Sequence, residues 1–416
     1  MEELIFVQGN NRTFPKEDRI FSLNQRANSR AVEKGSDRVV NSVIGALLSE
    51  DGNLVVFPSV VEQIAKLTPV DYAEYAPIIG TAPFRATVKK AIRGGYIPKR
   101  KTEVAGSMGG TGAIRNAVAN YSAPGDKILT SDWFWSPYNI ITSELGRSMD
   151  TYRMFDEKGE FDLSSFGQKA RELAESQGRL MIIINTPAHN PTGYSLSDRD
   201  WEGVKRVLTE ITRDLRIRPV LLIDAAYMDF AGTQDEIRSF LPWLDDMPEN
   251  VLPLIAYSAS KGFTLYGMRC GALMCMSADE KVLDEFRRAC EFSSRGTWSN
   301  GVRAAQTVIA DLYADPSALA KLEEERAHYR KMLAERGRIF EKAIVSYGKK
   351  CVPFRSGFFA CIETDRAEEL SRLLEEADIF AVPLKKGVRV SLASISRDQC
   401  ELVAKAISAT LDIMNE

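Results

Sequence analysis

Residues 180–184 (Leu-Met-Ile-Ile-Ile) and 220–223 (Val-Leu-Leu-Ile) are uninterrupted aliphatic runs of strand length. A strand with one face in water alternates polar and apolar side chains, so an unbroken run marks a strand covered on both faces. Between the runs, residues 197–215 have helical periodicity, with Ser197 as N-cap and the acidic Asp200 three residues later. Strand, helix and strand in that order make a βαβ unit, and such units build a parallel sheet with helices on both sides. Further strands are expected at 103–108, 251–258 and 271–276, and a helix at 112–121 behind a glycine cluster. The expected fold class is α/β.

The pattern changes near Pro316. A long, heavily charged helical stretch at 318–345 leads to short strands at 357–363 and 387–392 and a final amphipathic helix at 398–414. These elements suit a smaller α+β domain completed by the N-terminal segment. The expected division is an N-terminal arm with part of the small domain at 1–50, a large α/β domain at 51–315 and a small domain at 316–416. The charge run at 323–330 reads as a solvated helix face.

Composition removes several function classes. The 416 residues carry 54 Lys plus Arg against 57 Asp plus Glu, a formal net charge of −3. The basic excess that general nucleic-acid binding needs is missing. The aliphatic runs are far too short to span a bilayer, and the acidic N-terminus (MEELIFVQGN) lacks the basic segment of a signal peptide. A cytoplasmic protein without nucleic-acid or membrane partners is expected. Six cysteines without a CxxC pair fit a reducing compartment. With only His189 and His328, a histidine-ligated metal or a serine hydrolase triad would rest on one of two side chains. No metal is expected.

Other groups must carry the chemistry. Lys261 lies just past the strand at 251–258, in Ser258-Ala-Ser-Lys261-Gly-Phe-Thr-Leu-Tyr266-Gly-Met-Arg269-Cys-Gly271. An ammonium leaving an apolar strand is partly desolvated, which frees its amine as a nucleophile; the plain alternative is a surface lysine in a loop. Ser258 and Arg269 offer a hydroxyl and a guanidinium suited to a phosphate dianion. Gly106-Ser-Met-Gly-Gly110-Thr111-Gly112 joins a strand to a helix, where backbone N–H groups form an anion site or simply a tight turn. His189-Asn190-Pro191-Thr192-Gly193 sets an amide at a strand end, where open α/β sheets bind ligands, although Asn-Pro also favours turns. Asp224 closes the 220–223 run. A buried acid there needs a cation, such as a protonated ring nitrogen, or hydrogen bonds, as in a helix cap.

Lysine, phosphate cradle, Asn and Asp at successive strand ends together describe a pyridoxal phosphate site. Over nearly its whole length the chain resembles the class I aminotransferases of fold type I, in the aspartate/aromatic aminotransferase subgroup. The blocks that carry the resemblance are Ser-x-Ser-Lys…Tyr-Gly-x-Arg-x-Gly, His-Asn-Pro-Thr-Gly, Asp-x-Ala-Tyr, the arm at Asp18-Arg-Ile-Phe21, and Ile44-Gly45, which matches a substrate-side glycine loop. The resemblance implies a large domain with a mostly parallel sheet between helices, a smaller α+β domain, and a homodimer with shared active sites. It implies that Lys261 bonds pyridoxal 5′-phosphate as a Schiff base and later moves the substrate proton. Asp224 would pair with the pyridinium nitrogen, and Asn190 and Tyr227 with the ring's 3′ oxygen. Gly110, Thr111, Ser258 and Arg269 would hold the phosphate, with Tyr75 reaching it from the partner subunit. Trp135 would stack on the ring, unless it is an ordinary core aromatic, the reading given to Trp133.

On the substrate side, the resemblance implies that Arg389 clamps the α-carboxylate. It implies that Arg295, in Ser294-Arg295-Gly-Thr-Trp298-Ser-Asn300, binds a distal carboxylate across the dimer interface; otherwise it is a solvated loop arginine. The family usually has a histidine three residues after the stacking tryptophan, and this chain has Tyr138. The expected activity is amino-group transfer between an L-amino acid, aspartate or glutamate or an aromatic residue, and a 2-oxo acid such as 2-oxoglutarate. A lyase or decarboxylase on the same scaffold is the alternative. A non-catalytic ligand-binding regulator is disfavoured, because fewer than two dozen residues precede Phe21 and none makes a basic recognition helix.

Overall fold

Both aliphatic runs form the strands they imply. The computed structural model describes residues 18–233 and 236–415, with Phe6 and Gly9 before them. The acidic N-terminal stretch read above therefore lies almost entirely outside the described residues. The central sheet consists of β1 (Lys101–Met108), β2 (Lys127–Ser131), β3 (Ser148–Tyr152), β4 (Met181–Asn185), β5 (Val220–Asp224), β6 (Leu252–Ser258) and β7 (Cys270–Ser277). Their order is β1-β7-β6-β5-β4-β2-β3.

Every residue of β4 and β5 is buried. Alternate side chains serve opposite faces, as the two-residue period of a strand requires. Ile183, Leu222 and Leu254 join one core layer, while Ile182, Ile184, Leu221, Ile223 and Ile255 join the other. The strands run parallel except β7, which is antiparallel to both β6 and β1. The expectation of a parallel strand at 271–276 misses that reversal. A parallel crossover takes a dozen or more residues and usually a helix, and the link from Ser258 to Cys270 contains a single helical turn, Ala259–Gly262.

Helices α2 (Gly109–Tyr121), α3 (Asp198–Ile211) and α4 (Glu280–Arg295) accompany the sheet, while α1 (Arg19–Lys34), α5 (Pro316–Ser346) and α6 (Arg397–Asn415) contribute to the smaller unit. Ser197 and Asp200 form the reciprocal cap at the start of α3. The smaller unit is an antiparallel sheet of β8 (Phe359–Glu363), β9 (Val382–Leu384) and β10 (Gly387–Ser391), in the order β9-β10-β8. Leu23 and Ala27 of α1 pack with Val39, Val43, Phe380 and Val382, which fastens the N-terminal segment to this unit.

The 31-residue α5 runs from one core to the other. Ala318, Leu322, Met332 and Leu333 pack in the large core, and Phe340, Ala343 and Ile344 in the small one. The solvated face expected at 323–330 is corrected at one position. Arg326 is only 1% exposed, because Asp229 and Glu323 meet its guanidinium inside the protein.

Candidate active site

Parallel strands bring their carboxyl ends to one edge, and that edge collects the polar groups. Asn185 and Asp224 end β4 and β5 as register partners. Ser258 ends β6 and caps the turn Ala259–Gly262 by accepting from the Ser260 N–H. Lys261 projects from that turn. Its Nζ donates to Gly45 O at 2.8 Å and lies 4.7 Å from the Tyr266 ring centre and 5.4 Å from that of Tyr227. Burial, with Arg269 and Arg389 nearby, brings its pKa down to about 7. The amine is thus substantially unprotonated near neutral pH.

Asp224 is 3% exposed, and among the described residues no cation acts on it. The Tyr138 hydroxyl donates to its Oδ2 at 2.5 Å and the Ala226 N–H to its Oδ1 at 3.2 Å. Burial raises its pKa, and these hydrogen bonds act in the opposite direction. Asn190 Nδ2 donates to the Tyr227 hydroxyl at 3.3 Å, and Asn190 Oδ1 accepts from Arg389 Nη1 at 3.2 Å. Arg389 also donates from Nη2 to Val43 O at 2.7 Å and lies 4.3 Å over the Phe359 ring, while its buried Nε has no partner. Gly45 closes this group: a Cβ there would stand 2.7 Å from Phe359 Cζ and 3.5 Å from the Tyr227 hydroxyl.

A second cluster adjoins it at the start of α2. Gly109 has φ +67°, and a Cβ on it would meet Arg269 Nη2 at 2.8 Å; one on Gly110 would meet Ser258 Cβ at 3.2 Å. Thr111 follows in the first turn, so backbone N–H groups, a hydroxyl and a guanidinium converge. Trp135 stands edge-on to Tyr138, ring centres 5.5 Å apart. Trp133 is buried in the core. His189 is buried with Nδ1 2.8 Å from Thr192 Oγ1, and burial lowers its pKa to about 3.

Tyr75 and Arg295 stand apart from these clusters. Tyr75 is 84% exposed, and Arg295 is exposed with Nη1 donating to Ser299 Oγ at 2.6 Å. Sequence reasoning passed over Asn185, which donates to Asp224 O and accepts from the Asn190 N–H at 2.6 Å. A polar residue closing an apolar run was its available signal. It also gave no role to Tyr266, whose hydroxyl accepts from the Leu47 N–H at 3.0 Å beside the lysine.

Residues 38–407 match the family model for aminotransferase class I and II. The chain belongs to that family. It is 26% identical over 390 residues to the aromatic-amino-acid aminotransferase of Escherichia coli (strain K12), covering 90% of this chain and 94% of that one. It is 29% identical over 313 residues to the cytoplasmic aspartate aminotransferase of Gallus gallus, covering 70% and 71%. The crystal structure of an aminotransferase from Anaerococcus prevotii superposes with a TM-score of 0.95 at 31% identity, over 98% of this chain and 99% of that one. The chain is accordingly a pyridoxal-phosphate-dependent transaminase acting on amino acids and 2-oxo acids. The lyase and regulator alternatives are not favoured.

The donors in place fit the cofactor. Asp224 is a buried carboxylate without a cation, as a protonated ring nitrogen requires. The glycines of the α2 cradle leave room beside Arg269 that side chains would fill. Among the described residues no group of three His, Cys, Asp or Glu could hold a metal, and no helix is long and apolar enough to cross a membrane.

Proposed function

We propose that Lys261 is the lysine that carries the cofactor, in an enzyme that exchanges the amino group of aspartate or glutamate, or of an aromatic amino acid, with 2-oxo acids such as 2-oxoglutarate. Bound pyridoxal phosphate supplies an electron-withdrawing ring that eases removal of the substrate Cα proton. Asp224 holds the proton on the ring nitrogen, and Asn190 and Tyr227 hydrogen-bond the 3′ oxygen. Gly110, Thr111, Ser258 and Arg269 bind the phosphate, joined by Tyr75 of a second copy of the chain. Trp135 covers the ring. Arg389 binds the α-carboxylate through its planar pair of donors, Gly45 leaves the substrate side open, and Arg295 of the second copy takes a distal carboxylate. Lys261 takes the proton from Cα and returns it. Six free, buried cysteines support a cytoplasmic location.

The observation that carries this reading is the enclosed amine of Lys261, brought down to about 7 and facing Gly45 O, with Arg389 nearby. General acid–base work is most efficient when the group's pKa lies near the working pH. Lys261→Ala is expected to fold, to lose the visible absorption band of the lysine-bound cofactor and to lose transamination beyond detection. Turnover near the wild-type rate would sink the assignment.

A further inference from the structure

Moving a proton at one carbon requires the Lys261 amine to be held in one place, yet the turn that carries it has four residues. The N–H groups of Phe263 and Thr264 satisfy Ala259 O and Lys261 O, and Gly262 O takes its donor from outside the turn. Arg326 Nε, from α5, donates to Gly262 O at 2.8 Å. The same guanidinium lies 4.6 Å over the Phe263 ring. Nη1 donates to Glu323 at 2.8 Å and to the Tyr313 hydroxyl at 3.3 Å, and Nη2 stands 3.6 Å from Asp229 Oδ2. Asp229 packs on the lysine turn as well, since a Cβ at Gly262 would fall 1.9 Å from its Oδ2. It follows Tyr227 by two residues, and its carbonyl accepts from Arg330 Nη1 at 3.1 Å. One buried side chain thus grips the segment after Lys261 and the segment after Asp224 and Tyr227.

Stability alone explains such a group poorly, because apolar residues of similar volume often replace a buried ion pair without loss. No apolar residue can donate in a fixed direction to Gly262 O while meeting a carboxylate. A lysine could keep the charge but not the planar fork. We propose that Arg326 is a positioning residue for Lys261, pinning the turn 259–262 to α5 so that the amine stands at a single point in the site. The inference rests on the assignment of Lys261 above. With the pin removed, the turn loosens and water reaches the amine. The charges and rings facing that amine are Arg269, Arg389, Tyr227, Tyr266 and Phe358, and all of them remain. Rehydration favours the ammonium, so the amine would titrate at higher pH.

Arg326→Lys tests this while keeping a cation for Asp229, and Arg326→Met is the harsher variant. Two quantities are measured. The first is the pH dependence with which apoprotein and added pyridoxal phosphate develop the visible band. The second is kcat and KM for transamination. The expected result for Arg326→Lys is a band midpoint displaced to higher pH and a kcat lowered about tenfold, with KM within twofold of wild type and the protein folded. If Arg326→Met does not fold, the lysine variant alone decides. A merely structural arginine would lower the melting temperature while leaving midpoint and kcat unchanged, and that result overturns the proposal. Failure of the underlying assignment looks different: Lys261→Ala would then retain the band and the turnover in an otherwise wild-type chain.

Discussion

At Asp224 this chain offers a phenol where the family usually has a histidine. The two groups differ in what pH does to them. An imidazole titrates near neutrality, whereas burial and the adjoining carboxylate push the Tyr138 hydroxyl well above its ordinary value of 10. Tyr138 therefore donates its one proton to Asp224 throughout the working range. That bond favours the ionised carboxyl and opposes the upward push of burial. Tyr138→Phe removes the donor and leaves a buried acceptor short of a partner, a cost of about 1–3 kcal/mol. With the charged form less favoured, the Asp224 pKa rises and protonation begins at higher pH. The acid limb of the kcat/KM profile should move up, and activity at neutral pH should fall on the order of tenfold to a hundredfold. A profile and rate that overlay wild type would mean that Tyr138 only fills space.

Glycines at the start of α2 decide whether an anion can approach it. Gly109 sits in the left-handed region, and a Cβ on it would meet Arg269 Nη2 at 2.8 Å. Gly109→Ala should therefore displace the Arg269 guanidinium, proposed above to hold the phosphate, and weaken pyridoxal phosphate binding to the apoprotein by about tenfold or more, measured by fluorescence titration, with the fold retained. Unaltered affinity would place the phosphate elsewhere. The same element marks the border of what local sequence signals could reveal. Glycine is a poor helix former, so the helix expected from 112 begins at Gly109 instead. The runs that make β4 and β5, and the Ser197–Asp200 cap, were legible because each signal is complete within a few residues. Strand β3, Ser148–Tyr152, has no apolar run because it is an edge strand that stays partly exposed. The burial of Arg326 was illegible for another reason: its partner Asp229 arrives from a distant segment, and a charge run has no means of announcing it. Asp224 stood out because an acid ending an apolar strand is conspicuous, and Lys261 and Asn190 because they sit in recognisable motifs just past such strands. Tyr266 and Arg326 act on the backbone of remote loops, which no motif records.

The roles proposed for Tyr75 and Arg295 require a second copy of the chain. Both are exposed, on a surface that also presents Phe292 at 83%, Tyr72 at 66% and Val70 at 57% exposure. The two segments adjoin, since Asn300 Nδ2 donates to Ala76 O at 2.7 Å and Arg303 pairs with Glu74 at 2.9 Å. Exposed large apolar side chains clustered in this way are more often part of an interface than bare protein. Arg295 meets the Ser299 hydroxyl and, among the described residues, no carboxylate, which leaves its charge available to a substrate. If two copies share their sites, Lys261 serves its own chain while Arg295 serves the neighbour. Arg295→Ala alone should then lower kcat/KM for aspartate and glutamate on the order of a thousandfold, with alanine or phenylalanine changed far less, because Arg389 still binds their single carboxylate. Mixing inactive Lys261→Ala chains with Arg295→Ala chains gives a sharper test. In a hybrid dimer one site combines both defects and the other receives wild-type Lys261 and wild-type Arg295. After subunit exchange verified by mass, aspartate activity should recover to about one quarter of wild type, since random pairing makes half the dimers hybrid and each hybrid has one intact site. No recovery after exchange would mean that each site is built from a single chain, with Arg295 serving the chain that carries it.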